Sequence, residues 1–426
     1  MKIIAAEYVL PISSEPIAGG AVAIDDGRIV AVGKLDALKQ EFPSSTSEDF
    51  GLAAILPGFV NCHSHLEVTS MRGALDDVEH DFRAWLLKLN EIRLGLSTDD
   101  IKAAAILGAT EGARAGVTCF GDIGRYGEAG MHALRMLGLR GVVFQETEFS
   151  PDNASAEADF ETLRQKFLRL REQSTELVEV GLSPHSPYTV SRRLFELIAR
   201  YAIDENIKIS VHAAESEDER RLIEDGEGFF IEFYKKLAFE WEVPRCSSIE
   251  FLSRAGVLAA KPLLAHCVTA SDADIKLIAG TDSRIAHCPK SNAKFGHGYA
   301  PLERFLNAGV AVGLGSDSVA SNNVCDMLEE SRFAALAARN RPGRERFISA
   351  REVLELATLG GAKALALEDK IGTLEAGKHA DIAVVSLTSP AQMPVTDVEA
   401  ALVFSSNSRD VMMTMVNGIV VHSHET

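Results

Sequence analysis

The sequence lacks long hydrophobic runs and lacks an excess of positive charge. No apolar run reaches the length of a bilayer-spanning helix, and residues 1–4 lead straight into strand-like sequence without a signal-peptide pattern. The 43 Lys and Arg residues are outnumbered by 61 Asp and Glu, giving a formal net charge of -18. Such a surface repels nucleic acid and anionic membranes. We therefore expect a cytoplasmic protein that binds a small molecule, with no nucleic-acid or membrane partner.

Paired cysteines and glycine-rich nucleotide motifs are also missing. The six cysteines are scattered without a Cys-x-x-Cys pair, and several lie inside apolar runs. This pattern argues against a disulfide framework or a cysteine zinc site and favours reduced, buried thiols. No Gly-x-Gly-x-x-Gly follows an early strand-like run, which disfavours the competing architecture of a doubly wound, dinucleotide-binding sheet.

The chain does contain enough apolar sequence for a large core, with 426 residues of which 46% are hydrophobic. Short alternating segments occur near both ends, and the pairs Asp26-Gly27 and Asn417-Gly418 are typical of hairpin turns. We predict that residues 1–55 and 371–426 together form one small β-sandwich domain. Two unrelated flanking hairpins are the alternative.

Between these ends, strand-like apolar runs alternate with helical patterns. Continuous apolar strands indicate burial on both faces and hence a parallel sheet. Eight such units over residues 56–370 predict an α/β fold with a (β/α)8 TIM barrel. Residues 226–256 exceed an ordinary connection, so we expect a lid or a dimerisation insert and a homodimer. The eight runs are residues 54–60, 117–121, 141–145, 178–183, 208–212, 262–267, 284–288 and 311–316.

Histidines and a carboxylate end several of these runs, which is where a barrel places its active site. His63 and His65 would point to the same side of an extended strand. Divalent metals such as zinc favour imidazole and carboxylate ligands, so the sequence predicts one metal ion on His63, His65, His212 and Asp317. No lysine ends the fourth run, where His185 stands, and a two-metal centre is therefore disfavoured. Ordinary surface or capped histidines are the alternative.

Five motifs and a closing segment carry a resemblance to a known family. The chain resembles the amidohydrolase superfamily over nearly its whole length, specifically the mononuclear deaminase and chlorohydrolase branch. The segments are Pro57-Gly58-Phe59-Val60-Asn61-Cys62-His63-Ser64-His65, Pro184-His185-Ser186-Pro187-Tyr188-Thr189-Val190-Ser191, His212-Ala213-Ala214-Glu215, His287-Cys288-Pro289-Lys290-Ser291-Asn292, Gly315-Ser316-Asp317-Ser318 and residues 371–381.

The resemblance implies specific roles for the site residues. Asp317 would both contact the metal and take a proton from the attacking water, and His266 would hold the hydroxide or developing oxyanion. Glu215 would protonate the ring nitrogen of the substrate and assist the departure of ammonia. The alternative for Glu215 is a carboxylate in the first turn of a helix, favoured there by the helix dipole. The expected metal is zinc, with iron as the alternative.

Other polar residues near the ends of the runs are candidates for substrate binding. His185 is expected to contact substrate, because the metal ligand set is complete without it; a structural histidine is the alternative. Glu67, Arg72 and Glu146 follow strand-like runs and could line the pocket or form loop ion pairs. Asn292 is a further candidate, either for substrate binding or for ordering the loop beside the metal.

The function that the resemblance implies is hydrolytic release of ammonia from the 6-aminopurine of an adenosine-type nucleoside. Within the family, residues 65–67, 214–219 and 288–298 are similar to those of aminodeoxyfutalosine deaminases, which predicts 6-amino-6-deoxyfutalosine as substrate. The alternatives are a deaminase of S-adenosylhomocysteine, methylthioadenosine or 5′-deoxyadenosine, a guanine or cytosine deaminase, and a chlorohydrolase. A catalytically silent binding protein is the alternative outside the enzymes.

Overall fold

The structure is a computed structural model that describes residues 1–239 and 241–424. Residue 240, in the predicted insert, and residues 425 and 426, in the second terminal segment, lie outside the described residues. Within the described ranges, no helix combines the length and the apolar character needed to cross a membrane.

The described strands and helices alternate through the middle of the chain. The strands are β1 Lys2–Val9, β2 Ile17–Asp25, β3 Arg28–Lys34, β4 Thr46–Asp49, β5 Ala53–Pro57, β6 Phe59–Ser64, β7 Val117–Gly124, β8 Arg140–Glu146, β9 Val178–Ser183, β10 Ser210–Ala213, β11 Leu263–His266, β12 Arg284–His287, β13 Val312–Leu314, β14 Ile382–Ser386, β15 Val411–Val416 and β16 Ile419–Ser423.

The α-helices are α1 Leu35–Glu41, α2 Phe82–Leu94, α3 Thr98–Arg114, α4 Gly127–Leu137, α5 Ala156–Arg171, α6 Arg192–Asp204, α7 Glu217–Arg220, α8 Phe229–Lys236, α9 Ser248–Arg254, α10 Asp272–Gly280, α11 Pro289–Lys294, α12 Leu302–Asn307, α13 Val319–Asn322, α14 Met327–Asn340, α15 Ala350–Glu355, α16 Gly361–Ala364 and α17 Val398–Ser405. Helix α6 shows how the sequence sets such an element. The hydroxyl of Ser191 caps its first turn by accepting from the backbone N–H of Leu194, and Leu194, Phe195 and Ile198 bury one face.

Strands from both termini share one eight-stranded sheet, in the order β16-β15-β14-β5-β1-β2-β3, with β4 paired to β1. Both predicted hairpins are present, β2–β3 and β15–β16. Their turns also contact each other, because a Cβ added to Gly27 would lie 2.7 Å from the carbonyl oxygen of Asn417. The two ends of the chain therefore belong to one sheet, and the alternative of two unrelated hairpins is wrong.

The run predicted as one strand over residues 54–60 is two strands. β5 pairs with β14 in the terminal sheet, whereas β6 pairs with β7 in the parallel part of the fold. The chain changes sheets at Gly58, where a Cβ would lie 2.1 Å from the side chain of Thr118. Only glycine fits at this point between β5 and β6. The apolar content of residues 54–60 did not reveal that the run divides into two strands.

The eight strands in the middle of the chain form two parallel sheets, β6-β7-β8-β9 and β10-β11-β12-β13. Single parallel bridges join Leu182 to Ile209 and Ser64 to Asp317, connecting the sheets at both of their edges. The strands are buried along most of their lengths, as expected for a sheet covered by helices. The predicted α/β composition is confirmed. The predicted division into domains at residues 55 and 370 stays a prediction.

Candidate active site

Two histidines at the end of β6 enter a shared buried space. Neither ring nitrogen of His63 has a hydrogen-bond partner among the described residues, although the side chain is fully buried. His65 Nδ1 lies 3.1 Å from the carbonyl oxygen of Ile123. Burial lowers the pKa of His63 to about 4 and that of His65 to about 3. Both rings are therefore neutral near pH 7, which is the state that ligates metals.

His212 on β10 contacts His65 through its Nε2 atom. Its Nδ1 lies 2.9 Å from the carbonyl oxygen of His185, and its Nε2 lies 3.2 Å from His65 Nε2. Because a carbonyl oxygen can only accept, each Nδ1 donates its proton there, and Nε2 is the ring nitrogen left to bind another group. The two Nε2 atoms thus face each other across 3.2 Å. Carbonyl contacts of this kind orient metal-bound histidines.

Asp317 follows β13 and completes the cluster. Its Oδ1 lies 3.4 Å from His63 Nε2 and 3.5 Å from His65 Nε2. Its Oδ2 accepts hydrogen bonds from the hydroxyls of Ser291 at 2.7 Å and Ser321 at 2.8 Å. Burial alone would raise the pKa of this carboxyl, but the close approach of His63 and the charges that His266 and His65 can carry hold it well below its usual value. The carboxylate is therefore fixed, ionised and turned toward the histidines.

A second trio of side chains with the spacing of metal ligands overlaps the first. Glu146, His185 and His212 offer ligand atoms within 4.8 Å of one another, as do His63, His65 and His212. His212 belongs to both trios. Since its Nδ1 is held by a carbonyl, only its Nε2 is free, and one nitrogen ligates one ion. The two trios therefore share one ligand nitrogen and cannot each hold an ion at the same time.

Glu215 projects into the same space from the loop after β10. Its Oε2 accepts a hydrogen bond from the hydroxyl of Tyr188 at 3.0 Å. Its Oε1 lies 3.7 Å from His266 Nε2 and 3.9 Å from His297 Nε2. Burial raises the pKa of Glu215 to about 7, a value suited to a group that gives and takes protons near neutrality. The residue precedes Ser216, the N-cap of α7, so it does not lie in the first turn of that helix.

His266 is held by a hydrogen bond with Asn292. Asn292 Oδ1 accepts from His266 Nδ1 at 2.9 Å, and both side chains are buried. His266 Nε2 has no hydrogen-bond partner among the described residues and faces Glu215. Asn292, which the sequence suggested as a substrate contact or a loop-ordering residue, therefore orients His266 in this structure.

These groups lie at the base of a cavity of about 340 Å³. His65, His185, His212, Glu215, His266 and Asp317 line the cavity together with apolar side chains. Helix α8, in the predicted insert, contributes several of these, which supports the lid interpretation of that segment. The aromatic lining residues are Phe82, Trp85, Phe149, Tyr188, Phe229, Phe230, Phe233 and Phe295.

The remaining predicted substrate residues divide into two groups. Glu146 and His185 line the cavity, with His185 Nε2 3.9 Å from Glu146 Oε1. Glu67 and Arg72 are not among its lining residues. Glu67 accepts from the backbone N–H of Tyr126 at 2.9 Å, and Arg72 forms an ion pair with Glu111. Glu67 Oε1 also lies 3.5 Å from the guanidinium of Arg93, so both side chains take part in ion pairs.

Sequence reasoning missed several residues that complete the site. Tyr188 lay inside a quoted motif but was given no role, and neither were Ser291 and His297. Ser321 was not noticed at all. The buried, unpartnered Nε2 of His297 is a feature that only the folded chain reveals, because His297 and Glu215 are far apart in sequence.

Comparisons with known proteins identify the family of this chain. The model of the amidohydrolase family matches residues 54–421, which is most of the chain and includes every residue of the cluster. The chain belongs to the amidohydrolase family. The predicted recognition is thereby confirmed, and so is the predicted enzyme class, a hydrolase acting on carbon–nitrogen bonds. A shorter match, residues 20–44, is to a bacterial imidazolonepropionase-like composite domain.

Similar proteins and structures extend over nearly the full chain. A 5-methylthioadenosine/S-adenosylhomocysteine deaminase from Desulforudis audaxviator is 34% identical over 97% of this chain and 91% of its own length. The zinc-bound crystal structure of an adenosine deaminase from Xanthomonas campestris has a TM-score of 0.86 at 26% identity, covering 98% of this chain and 92% of that one. A zinc-bound atrazine chlorohydrolase from Arthrobacter aurescens has a TM-score of 0.84 at 26% identity, covering 99% and 95%.

Proposed function

We propose that this amidohydrolase is a metal-dependent deaminase that removes the 6-amino group of an adenosine-type nucleoside. The observation that carries the proposal is the pair of Nε2 atoms of His65 and His212, which lie 3.2 Å apart on rings whose Nδ1 atoms each donate to a backbone carbonyl. The same cavity holds Glu215, whose raised pKa suits proton transfer. The names of the similar proteins, a methylthioadenosine/S-adenosylhomocysteine deaminase and an adenosine deaminase, support this reaction.

The metal site that we propose consists of His63, His65, His212 and Asp317. The unpartnered nitrogens of His63 and the facing Nε2 atoms of His65 and His212 fit a divalent cation, and three histidines with one carboxylate suit zinc. Zinc in the similar structures supports that choice over iron. A divalent cation held there would lower the pKa of a water molecule that it binds to near neutrality.

The side chains around this site can carry out the proton transfers. Asp317 accepts the proton of the attacking water through Oδ1, since Oδ2 is occupied by two serine hydroxyls. His266 orients the water by accepting through Nε2, because its Nδ1 donates to Asn292. Glu215 protonates the ring nitrogen as water adds to the carbon bearing the amino group. The proton held by Asp317 then passes to the amino group, which leaves as ammonia. The hydroxyl proton of the adduct returns to Glu215 as the carbonyl forms.

The cavity supports two substrate candidates within this class. Its aromatic walls and the side chains of Arg93 and Arg125 fit a nucleoside whose 5′ extension carries an aromatic carboxylate, as 6-amino-6-deoxyfutalosine does. The similar protein from Desulforudis audaxviator favours methylthioadenosine or S-adenosylhomocysteine. We propose 6-amino-6-deoxyfutalosine first, because the aromatic walls can pack against its aromatic group and the arginines can bind its carboxylate.

A substrate panel tests the proposal. Zinc-loaded protein is incubated with adenosine, 5′-deoxyadenosine, methylthioadenosine, S-adenosylhomocysteine and 6-amino-6-deoxyfutalosine, and with guanine, cytosine and a chlorotriazine. Ammonia and chloride are measured, with Asp317→Asn as the inactive control. Ammonia from one or more 6-aminopurine nucleosides supports the proposal. Release only from guanine or cytosine, release of chloride alone, or no turnover of any compound would remove it.

We also retain the finer predictions of fold and assembly as proposals. The bridges Leu182–Ile209 and Ser64–Asp317 support closure of the two parallel sheets into one (β/α)8 barrel. A core that joins Ile4 and Val22 with Met415 supports a sandwich-like terminal domain. The homodimer and the cytoplasmic location stay predictions, which sedimentation and cell fractionation can test.

A further inference from the structure

The two carboxyl oxygens of Glu215 have different surroundings. Within the described residues, the hydroxyl of Tyr188 is the hydrogen-bond donor to Oε2, at 3.0 Å. Oε1 faces His266 Nε2 at 3.7 Å and His297 Nε2 at 3.9 Å, and neither of these nitrogens has a hydrogen-bond partner in the described chain. An acidic proton on Oε2 would compete with the Tyr188 proton for the same space. The proton of a neutral Glu215 therefore belongs on Oε1, which faces His266 and His297.

We propose that Tyr188 is a positioning residue for catalysis, which directs the transferable proton of Glu215 to Oε1 by donating its own hydroxyl to Oε2. The proposal rests on the proposed function in so far as Glu215 is the proton donor of the reaction. The chemistry balances without another group, because Tyr188 keeps its proton throughout and only fixes which oxygen of Glu215 gives and receives one.

The surroundings of Tyr188 keep it in the donor state and in one orientation. Its side chain is buried, and burial together with the charges of Glu215 and Glu219 raises its pKa well above the usual value. Phe230 of α8 stacks on the phenol ring, with ring centroids 4.6 Å apart and planes inclined by 22°. Helix α8 therefore holds the ring of Tyr188 in place, and Tyr188 in turn holds the carboxyl group of Glu215.

Tyr234 supplies a matched control. Its side chain is as buried as that of Tyr188, and its hydroxyl donates to the backbone carbonyl of Tyr188 at 2.7 Å. Tyr234→Phe thus removes one buried phenolic hydrogen bond without touching a carboxylate. If Tyr188→Phe and Tyr234→Phe lose stability to the same extent, the loss reflects the buried hydrogen bond that each variant removes. A shift in the carboxyl band of Glu215 that occurs only in Tyr188→Phe reflects the positioning of Glu215 by Tyr188.

The first measurement needs no substrate. Infrared difference spectra of wild type minus Glu215→Gln, taken on the zinc-loaded protein at about pH 6, isolate the carboxyl band of protonated Glu215. We expect this band at a higher frequency in Tyr188→Phe, because its C=O group loses a donor, and at the wild-type frequency in Tyr234→Phe. A Glu215 band that is absent, or that Tyr188→Phe leaves in place, overturns the proposal whether or not the protein is a deaminase.

The second measurement is a double-mutant cycle on ammonia release with the best substrate of the panel. Tyr188→Phe should lower kcat by about tenfold, the size expected for one hydrogen bond to an ionisable group, with KM changed less than about threefold. In the Glu215→Gln background the same substitution should change kcat less than about twofold, because the acid it acts through is gone. Equal losses in both backgrounds would show that Tyr188 acts independently of Glu215 and would overturn the proposal.

A shifted Glu215 band without any ammonia release separates the two proposals. It would support the role of Tyr188 in placing the proton while it removes the proposed deaminase function.

Discussion

Asn292 Oδ1 lies 2.9 Å from His266 Nδ1, and both side chains are buried. This contact fixes the orientation of His266 and leaves its Nε2 free to act on the attacking water. Asn292 can thus act on the chemistry through the placement of His266.

Removing that contact should impair chemistry more than metal binding. We expect Asn292→Leu to lower kcat about ten- to a hundredfold, because His266 loses both its orientation and its preferred tautomer. Metal content should stay at the wild-type level. Asn307→Leu, an exposed asparagine away from the cavity, is the control. Turnover by Asn292→Leu at the rate of this control would show that His266 does not need its partner.

The serine pair on Asp317 Oδ2 should tune metal affinity. Ser291→Ala and Ser321→Ala each remove one of the two hydroxyl donors and free the carboxylate to rotate. We expect each variant to bind zinc about tenfold more weakly, as is typical for partners of metal ligands. Ser331→Ala is a matched control, because this buried serine donates only to the Met327 carbonyl. Competition with a chelator of known affinity gives the comparison, and unchanged affinity in both variants would contradict the role.

The buried carboxyl of Glu330 should make the protein less stable as the pH rises. Burial raises the pKa of Glu330 to about 8 from the ordinary value of 4.5. Between these values the folded state holds a proton that the unfolded state has released, so the free energy of unfolding falls with rising pH. Glu330→Gln cannot ionise. As the pH rises across this window, the free energy of unfolding of Glu330→Gln minus that of wild type should increase by at most about 1.4 kcal/mol per pH unit.

Urea unfolding at several pH values measures this difference. The exposed Glu176→Gln is the control, and it should follow wild type at every pH. A Glu330→Gln curve that runs parallel to wild type from about pH 5 to 8 would show that Glu330 is ionised in the folded protein.

The sequence predicted the parts of this structure that depend on local pattern. Apolar runs ending in His63, His212 or His266 gave the parallel strands and the ends at which the site lies, because a buried strand needs apolar residues on both faces. The break at Gly58 was missed, since it depends on the neighbouring Thr118. Residues after a strand were harder to assign, because a loop carboxylate such as Glu67 can turn either to the cavity or to a backbone N–H.

Partners distant in sequence could not be predicted at all. Tyr188 meets Glu215, and Ser291 meets Asp317, only because separate strands end side by side. A single sequence contains no record of such pairs. The same limit applied to Asn292, where the residue was noticed but its hydrogen bond to His266 required the fold.

Glu215 should be needed for turnover and not for metal binding. We expect Glu215→Gln to lower kcat about a hundred- to ten-thousandfold, since glutamine keeps the volume but cannot deliver a proton. Its zinc content should match wild type, because Glu215 is not among the proposed ligands. Glu217→Gln, in the exposed first turn of α7, should remain active. A zinc-loaded, active and slightly destabilised Glu215→Gln protein would reassign the proton donor.

Titration of the metal-free protein with zinc, followed by ammonia release from a 6-aminopurine nucleoside, tests the central claim most directly. We predict no release without metal, a rise in rate with each addition, and saturation at one zinc per chain. His65→Ala should not reach this rate at any zinc concentration near stoichiometry. Full activity in the metal-free protein, or saturation only at two ions per chain, would contradict a single metal ion on His63, His65, His212 and Asp317.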